Sequence, residues 1–113
     1  MNLKEIIAKL NLEMIDSSVS IDKEVSYGYC SDMLSDVMGN AKEHSIWITV
    51  QMHQNIIGVA VMKEIAAILL VKSRKPEADT IKKAKLQNVP ILSTSYSAFE
   101  ICGLLYELGL RSE

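Results

Sequence analysis

The chain has 113 residues, 49% of them hydrophobic and 5% aromatic, and its formal net charge is −2. A chain of this length forms a single domain, residues 1–113, whose folding removes roughly two thirds of the unfolded surface from water. The slight acidity argues against non-specific nucleic-acid binding, which requires clustered Lys and Arg, and no apolar run reaches the ~20 residues that span a bilayer. The N-terminus has no basic segment leading into a long apolar one, so we expect no secretory signal, a cytoplasmic location and free thiols at Cys30 and Cys102.

Helical and extended patterns alternate along the first half of the chain. Asn2 and Glu5 have the spacing of a capping box and precede apolar residues at helical intervals. Further along, Val25, Tyr27 and Tyr29 occupy alternate positions, as in a half-buried strand. These patterns predict, in chain order, a helix over 3–10, a short strand over 12–15, a strand over 24–29, a helix over 32–38 and a strand over 46–50.

The second half of the chain continues the alternation. Residues 55–64 include a segment that is apolar on every side, and we favour a helix there because the buried strand over 66–71 follows too closely for a second strand. Pro76, followed by early acidic and late basic residues, marks another helix. The remaining predicted elements are a helix over 55–64, a strand over 66–71, a helix over 76–87, a strand over 89–92 and a helix over 97–108.

This order of elements predicts the fold class. After the first helix, strands and helices follow one another with short connections and no linker, repeat or low-complexity segment. Such alternation produces parallel strands, because each crossover helix returns the chain to the same edge of the sheet. We therefore predict an α/β domain of the three-layer type, with a mainly parallel sheet flanked by helices.

Polar segments follow four of the predicted strands. Ligands of open parallel sheets bind at the carboxyl ends of the strands, near the point where the strand order reverses. The four segments offer hydroxyls, amides, one imidazole and three cations, a set that suits an anionic ligand such as a nucleotide phosphate. The candidate ligand-binding residues are Ser31, Asp32, Thr49, Gln51, His53, Asn55, Arg74, Ser93, Thr94, Ser95 and Ser97.

Several of these residues also have a purely structural interpretation. Ser31 and Ser97 are predicted helix N-caps, a role that still leaves free backbone amides pointing toward an anion. His53 is expected on polar surface beside a helix start, because no carboxylate or nucleophile lies close to it in the sequence. The loop that contains Arg74 is either ordinary solvated surface or a set of phosphate contacts.

The sequence carries no signature of a metal site or of catalysis. Its two His and two Cys have no paired spacing of the kind that binds zinc. The motifs of phosphate-binding loops, dinucleotide folds, serine hydrolases and metalloproteases do not occur. We interpret Cys30 as a small filler at a strand end and Cys102 as a packing residue of the last helix. The prediction is a protein that is not an enzyme.

The last predicted helix is apolar on two nearly opposite faces. One face carries Phe99, Cys102, Tyr106 and Leu110, and the other carries Ile101, Leu104, Leu105 and Leu108. One of these faces can pack on the sheet, and the other needs a cover. Either the N-terminal helix or a second copy of the chain supplies it, so an internal helix pair and a homodimer both stay open.

Three segments, 31–38, 46–49 and 89–100, together with the order of elements, resemble a known family over nearly the whole chain. They resemble the stand-alone DRTGG-domain proteins, which are related to the N-terminal domain of bacterial HPr kinase/phosphorylase. Similar domains occur in some phosphotransacetylases and between the CBS domains of some regulated pyrophosphatases. The resemblance implies an α/β fold, dimerisation and a regulatory role without catalysis, since the kinase P-loop lies in a separate domain. The Asp-Arg-Thr-Gly-Gly run itself is absent, and residues 50–55 read Val-Gln-Met-His-Gln-Asn.

Two functions follow as alternatives. The first is a non-catalytic regulatory or ligand-sensing module, dimeric, that binds an anionic metabolite at the strand-end loops. An adenine nucleotide is suggested by the pyrophosphatase relatives alone, and the sequence names no cofactor. The second is an accessory subunit that docks on a larger enzyme through its apolar helix faces.

Overall fold

Five strands and five helices make up the computed structural model, which describes all residues from 1 to 113. Their bounds are α1 Leu3–Leu10, β1 Glu13–Met14, β2 Tyr27–Cys30, α2 Leu34–Asn40, β3 Ser45–Thr49, α3 Asn55–Met62, β4 Ala67–Leu70, α4 Ala78–Gln87, β5 Ile91–Ser93 and α5 Ala98–Glu107. The predicted α/β class and the helical assignment of the apolar segment after residue 55 are confirmed. None of the five helices has the length and hydrophobicity that crossing a membrane requires.

The sheet has the strand order β1-β5-β4-β3-β2. Strands β2 to β5 are parallel and adjacent in sequence order, and β1 joins the β5 edge antiparallel, with Glu13 opposite Ser93. Because the parallel strands advance in one direction only, their order never reverses between neighbours. The expectation that a reversal point forms the crevice is therefore wrong for this sheet, although all four parallel strands do end at one edge.

Strand β4 separates two hydrophobic cores. Its alternate side chains point to opposite faces: Ala67 and Leu69 belong to one core, and Ile68 and Leu70 to the other. The first core is closed by α1 and α5, and the second by α2, α3 and α4. This three-layer arrangement follows from right-handed crossovers, which place successive connecting helices on the same side of a parallel sheet.

Two helices begin later than predicted. Helix α2 starts at Leu34 with Met33 as its N-cap, so Ser31 is not the cap. The Ser31 hydroxyl instead accepts a hydrogen bond from the Met33 amide (3.2 Å), which turns the chain before the helix starts. Helix α4 starts at Ala78, and Pro76 lies ahead of its N-cap rather than in its first turn.

Two strands are displaced along the chain from their predicted positions. The predicted strand over 24–29 is observed at Tyr27–Cys30, because the Val25 amide is held by the Met1 carbonyl (2.8 Å) outside the sheet. The predicted strand over 89–92 is observed at Ile91–Ser93. Pro90, which has no N–H, still contributes its carbonyl as acceptor for the Ile68 amide (2.9 Å).

A substitution at Leu69 tests whether the side chains of β4 are packed in the hydrophobic core. The Leu69→Ala variant removes a fully buried side chain and leaves a cavity, so we expect the free energy of unfolding to fall by about 2–5 kcal/mol. Leu86→Ala is the matched control, because Leu86 is 85% exposed on α4, and its effect should stay within about 0.5 kcal/mol. Urea denaturation of both variants measures the difference, and equal losses would contradict the core assignment.

Candidate functional site

The predicted site residues lie at or just beyond the carboxyl ends of the parallel strands, and their contacts divide them into three groups. The first group connects β2 with β3, the second lies at the start of α3, and the third surrounds the ends of β4 and β5. The groups contain, respectively, Ser31, Asp32, Thr49 and Gln51; His53 and Asn55; and Arg74, Ser93, Thr94, Ser95 and Ser97.

Asp32 is the centre of the first group. Its Oδ1 atom accepts hydrogen bonds from Thr49 Oγ1 (2.8 Å) and from the Val50 amide (2.9 Å). The Gln51 side-chain amide donates to the Asp32 carbonyl (2.9 Å), which closes the connection from the other direction. These bonds tie the loop after β2 to the end of β3, so the polar atoms of this group are largely engaged within the protein.

Ser31 takes part in the same connection through its backbone. The indole N–H of buried Trp47 donates to the Ser31 carbonyl (2.8 Å). The Ser31 hydroxyl, followed by the side chains of Asn40 and Tyr29, lowers the pKa of Asp36 below the ordinary carboxyl value by hydrogen bonding to its charged form. Both interactions fix the β2–α2 connection.

His53 lies at the start of α3, as its sequence context predicts. Its Nδ1 atom accepts a hydrogen bond from the Asn55 amide (3.3 Å), and no carboxylate bonds to the imidazole. The preceding residue, Met52, accepts hydrogen bonds at its carbonyl from Thr80 Oγ1 (2.8 Å) and the Glu77 amide (3.1 Å). This contact holds Glu77 in an extended conformation and explains why α4 starts only after it.

A cavity of about 420 Å³ lies beside the third group, which we call the polar cavity. It opens between the end of α1, the antiparallel strand β1 and the loops that follow β4 and β5. Its lining residues are Leu10, Asn11, Glu13, Ser73, Ser93, Thr94, Ser95 and Tyr96. The structure therefore brings together three of the predicted residues, Ser93, Thr94 and Ser95, in one concave surface.

Two loops are held together at this cavity by backbone hydrogen bonds. Lys72 and Ser73 both adopt left-handed conformations, with φ of 57° and 55°. In that geometry the Lys72 amide donates to the Tyr96 carbonyl (3.0 Å) and the Ser73 amide donates to the Thr94 carbonyl (2.7 Å). The wall of the cavity is thus fixed in position by main-chain contacts.

Two of the cavity's serine and threonine hydroxyls are already hydrogen-bonded within the protein, and two are not. Ser93 Oγ donates to the Arg74 carbonyl (3.3 Å), and Thr94 Oγ1 accepts from the Tyr96 amide (3.3 Å). The hydroxyls of Ser73 and Ser95 have no partner within the chain, and the amide of Ser95 is unpaired as well. These three groups remain available to hydrogen-bond a bound molecule.

Ser97 lies just beyond the cavity and has the predicted capping role. It is the N-cap of α5, and its hydroxyl accepts a hydrogen bond from the Glu100 amide (3.2 Å). The prediction of a cap at this position is confirmed, in contrast to Ser31.

The charges near the polar cavity are predominantly positive. Glu13, on the cavity wall, forms an ion pair with Lys75. Lys72 and Arg74, on either side of Ser73, have no carboxylate within ion-pair distance. Neither cation is among the residues that line the cavity, but both flank Ser73, which does line it, and the one carboxylate of the wall is paired.

Five residues that line the cavity are absent from the predicted set: Leu10, Asn11, Glu13, Ser73 and Tyr96. The first three come from the end of α1 and the start of β1, and they reach the site because β1 pairs antiparallel with β5. No local motif indicates that pairing. Ser73 and Tyr96 are sequence neighbours of the predicted residues Arg74 and Ser95, and Tyr96 is 41% exposed.

A second concave surface, which we call the apolar groove, has a volume of about 360 Å³ and lies between β2 and α5. Its lining residues are Gly28, Tyr29, Cys30, Ile48, Cys102, Leu105, Tyr106, Leu110, Arg111 and Ser112. Cys30 is exposed here, so its interpretation as a filler at the strand end is wrong: β2 is the edge strand, and Cys102 of α5 covers Cys30 only in part. No group of three or more His, Cys, Asp or Glu side chains is placed to hold a metal ion.

Asp32 provides a test of the first group's structural role. In Asp32→Ala the Thr49 hydroxyl and the Val50 amide lose their acceptor, so we expect the free energy of unfolding to fall by about 1–3 kcal/mol. Asp79→Ala, at an exposed position of α4 with no side-chain hydrogen bond, should change it by less than about 0.5 kcal/mol. Equal unfolding midpoints for wild type and Asp32→Ala in urea would refute this role.

Comparison with known proteins identifies the family of this chain. A family model described as the DRTGG domain matches residues 5–108. Among solved structures, the chain is similar to the CBS and DRTGG domains of the regulatory region of Clostridium perfringens pyrophosphatase, crystallised with the activator diadenosine tetraphosphate. The TM-score is 0.68 at 15% identity, with 92% of this chain and 45% of that chain covered, so this likeness shows the fold. No curated protein matches. Since the family model spans nearly the entire chain, the protein belongs to the DRTGG-domain family.

Proposed function

We propose that this protein is a non-catalytic regulatory module that binds a phosphate-bearing metabolite in the polar cavity. The observation that carries the proposal is the combination of unpartnered hydroxyls on Ser73 and Ser95 with the unpaired cations Lys72 and Arg74. Phosphate oxygens accept several charge-assisted hydrogen bonds at once, and this set of donors meets that requirement.

The cavity's size and lining favour a nucleotide within this class. A volume of about 420 Å³ falls within the range of small-molecule sites. Tyr96 offers an aromatic ring on which a base can stack, while the hydroxyls and cations serve the phosphates. The similar pyrophosphatase regulatory region carries an adenine-based activator, which makes an adenine nucleotide the first ligand to examine.

The other predicted ligand-binding residues are less central to this proposal. Asp32 and Thr49 bond to each other, and the Gln51 side-chain amide is likewise used within the protein. We therefore centre the ligand site on the free hydroxyls of Ser73 and Ser95 and on Arg74, with Ser93 and Thr94, whose hydroxyls are already bonded, as part of the cavity wall. Participation of His53 and Asn55 stays a prediction, as do the relation to HPr kinase/phosphorylase and the cytoplasmic location. The absence of catalysis likewise stays a prediction.

Isothermal titration with ATP and with inorganic phosphate tests the ligand proposal. We expect both to bind, and Arg74→Ala and Ser95→Ala each to weaken ATP binding by about tenfold, because each removes a donor to the phosphates. Lys82→Ala and Ser17→Ala are matched controls at exposed positions outside the cavity and should bind ATP as wild type does. Failure of both ATP and phosphate to bind, or an equal loss in the controls, would overturn the proposal.

A specific observation also supports association of the chain with a second copy. Leu110, predicted on the same face as Phe99 and Tyr106, is buried in the first core. Phe99 is 89% exposed, however, and Tyr106 is 58% exposed although the Arg111 guanidinium stacks on its ring. Gly103 lies between them, and an added Cβ there would meet no atom within 4 Å, so a partner helix has room to approach the backbone. We propose that two copies meet through this face. Docking of the same face on a larger enzyme is the alternative.

The Phe99→Asp variant tests the proposed dimer. A charge at the centre of an apolar interface is left without a partner, so the dimer dissociation constant should rise by about tenfold or more. Leu86→Asp places the same charge at an equally exposed position on α4 and should leave the dimer unchanged. Sedimentation velocity distinguishes the outcomes: a wild type that stays monomeric at all concentrations contradicts the homodimer and favours docking on another protein.

A further inference from the structure

The two cysteines of the chain meet across the interface between the edge strand and the last helix. Cys30 is the last residue of β2, and Cys102 lies in the second turn of α5. Both line the apolar groove, and both line a second, adjoining hollow with Ala98, Phe99 and Gly103. In the single chain Cys30 is exposed and Cys102 is partly exposed, so small reagents reach the pair from solvent when the proposed contact through Phe99 and Gly103 is open.

The environment gives the two thiols different chemical characters. The neighbouring Cys102 thiol favours the Cys30 thiolate and lowers the pKa of Cys30 to about 7, although partial burial and the Asp32 carboxylate act in the opposite direction. The same contact, with burial, raises the pKa of Cys102 above the ordinary thiol range. Near neutral pH, Cys30 is therefore substantially thiolate and Cys102 is a protonated neighbour.

Other ionisable groups surround this pair. Tyr29 and Tyr106 line the same groove, and the Arg111 guanidinium lies 3.5 Å from the centroid of the Tyr106 ring. With Asp32 as the nearby carboxylate, Arg111 is the groove's positive charge. A thiolate with a proton-bearing partner thiol is the arrangement found in redox-sensitive cysteine pairs.

We propose that Cys30 and Cys102 are a redox-active thiol pair, which a peroxide oxidises to an intrachain disulfide that joins β2 to α5. The Cys30 thiolate attacks one peroxide oxygen, the O–O bond breaks, and a sulfenic acid and hydroxide form. Cys102 sulfur then bonds to Cys30 sulfur as the S–O bond breaks, and the displaced hydroxyl leaves as water with the Cys102 proton. Two thiols are oxidised by two electrons, and one hydrogen peroxide is reduced to two waters. The inference does not depend on the proposed ligand.

Intact mass spectrometry of the full chain after treatment with hydrogen peroxide tests the pair directly. We expect the wild type to lose the mass of two hydrogen atoms as a monomeric chain and to take up no alkylating reagent under denaturing conditions, until a reductant restores both sites. In Cys102→Ala the sulfenic acid should persist on Cys30 and react with dimedone. Wild-type protein that keeps two alkylatable thiols, or forms only disulfides between chains, would overturn the proposal.

The rate of alkylation against pH provides a readout that needs no oxidation. Labelling of Cys30 by iodoacetamide should rise through a midpoint near pH 7 in the wild type. In Cys102→Ala the midpoint should move up toward that of an ordinary thiol, because the neighbouring thiol that favours the thiolate is lost. In Cys30→Ala, Cys102 should label at least about tenfold more slowly at neutral pH than Cys30 does in the wild type. Equal rates and midpoints for the two cysteines would contradict the assigned roles.

Discussion

The hydrogen bonds that hold β4 between β3 and β5 are the constraint on which the rest of the structure depends. Every side chain of β4 is buried, so its backbone groups find their partners in β3, in β5 and in the residues next to β5, Pro90 and Thr94. Parallel pairing on both sides then fixes the direction in which all four parallel strands end. As a consequence, the polar segments that follow those strands lie side by side at one edge of the sheet.

The shape of the polar cavity depends on β1, the one strand that runs antiparallel to the others. Strand β1 pairs with β5 through Glu13 and Ser93, and this brings the end of α1 over the carboxyl edge of the sheet. Glu13 is balanced by Lys75, while Lys72 and Arg74 carry charge that the chain leaves unpaired. Exposed cations are common on protein surfaces. Here they flank Ser73, whose hydroxyl, like that of Ser95, also lacks a partner, and the two observations point to the same kind of ligand.

Much of the fold was predictable because local patterns and tertiary packing agree. The apolar run after residue 55 forms the predicted helix, and Ser97 caps α5 as its position indicates. Ser31 looks equally suited to a cap, yet its carbonyl and hydroxyl are drawn into bonds with Trp47 and Met33, and α2 starts later. Other features depend on contacts between residues far apart in the chain. The sequence alone predicts neither the place of β1 beside β5 in the sheet nor the proximity of Cys30 to Cys102.

NMR tests most directly whether the polar cavity is the ligand site. In a titration of ¹⁵N-labelled protein with ATP, we expect the largest changes of amide chemical shift at Ser73, Ser95 and Tyr96. Amides of the first group, such as Val50, which already donates to Asp32, should move little. Shift changes concentrated at residues 31–32 and 49–51, or none at all at saturating ATP, would contradict the account.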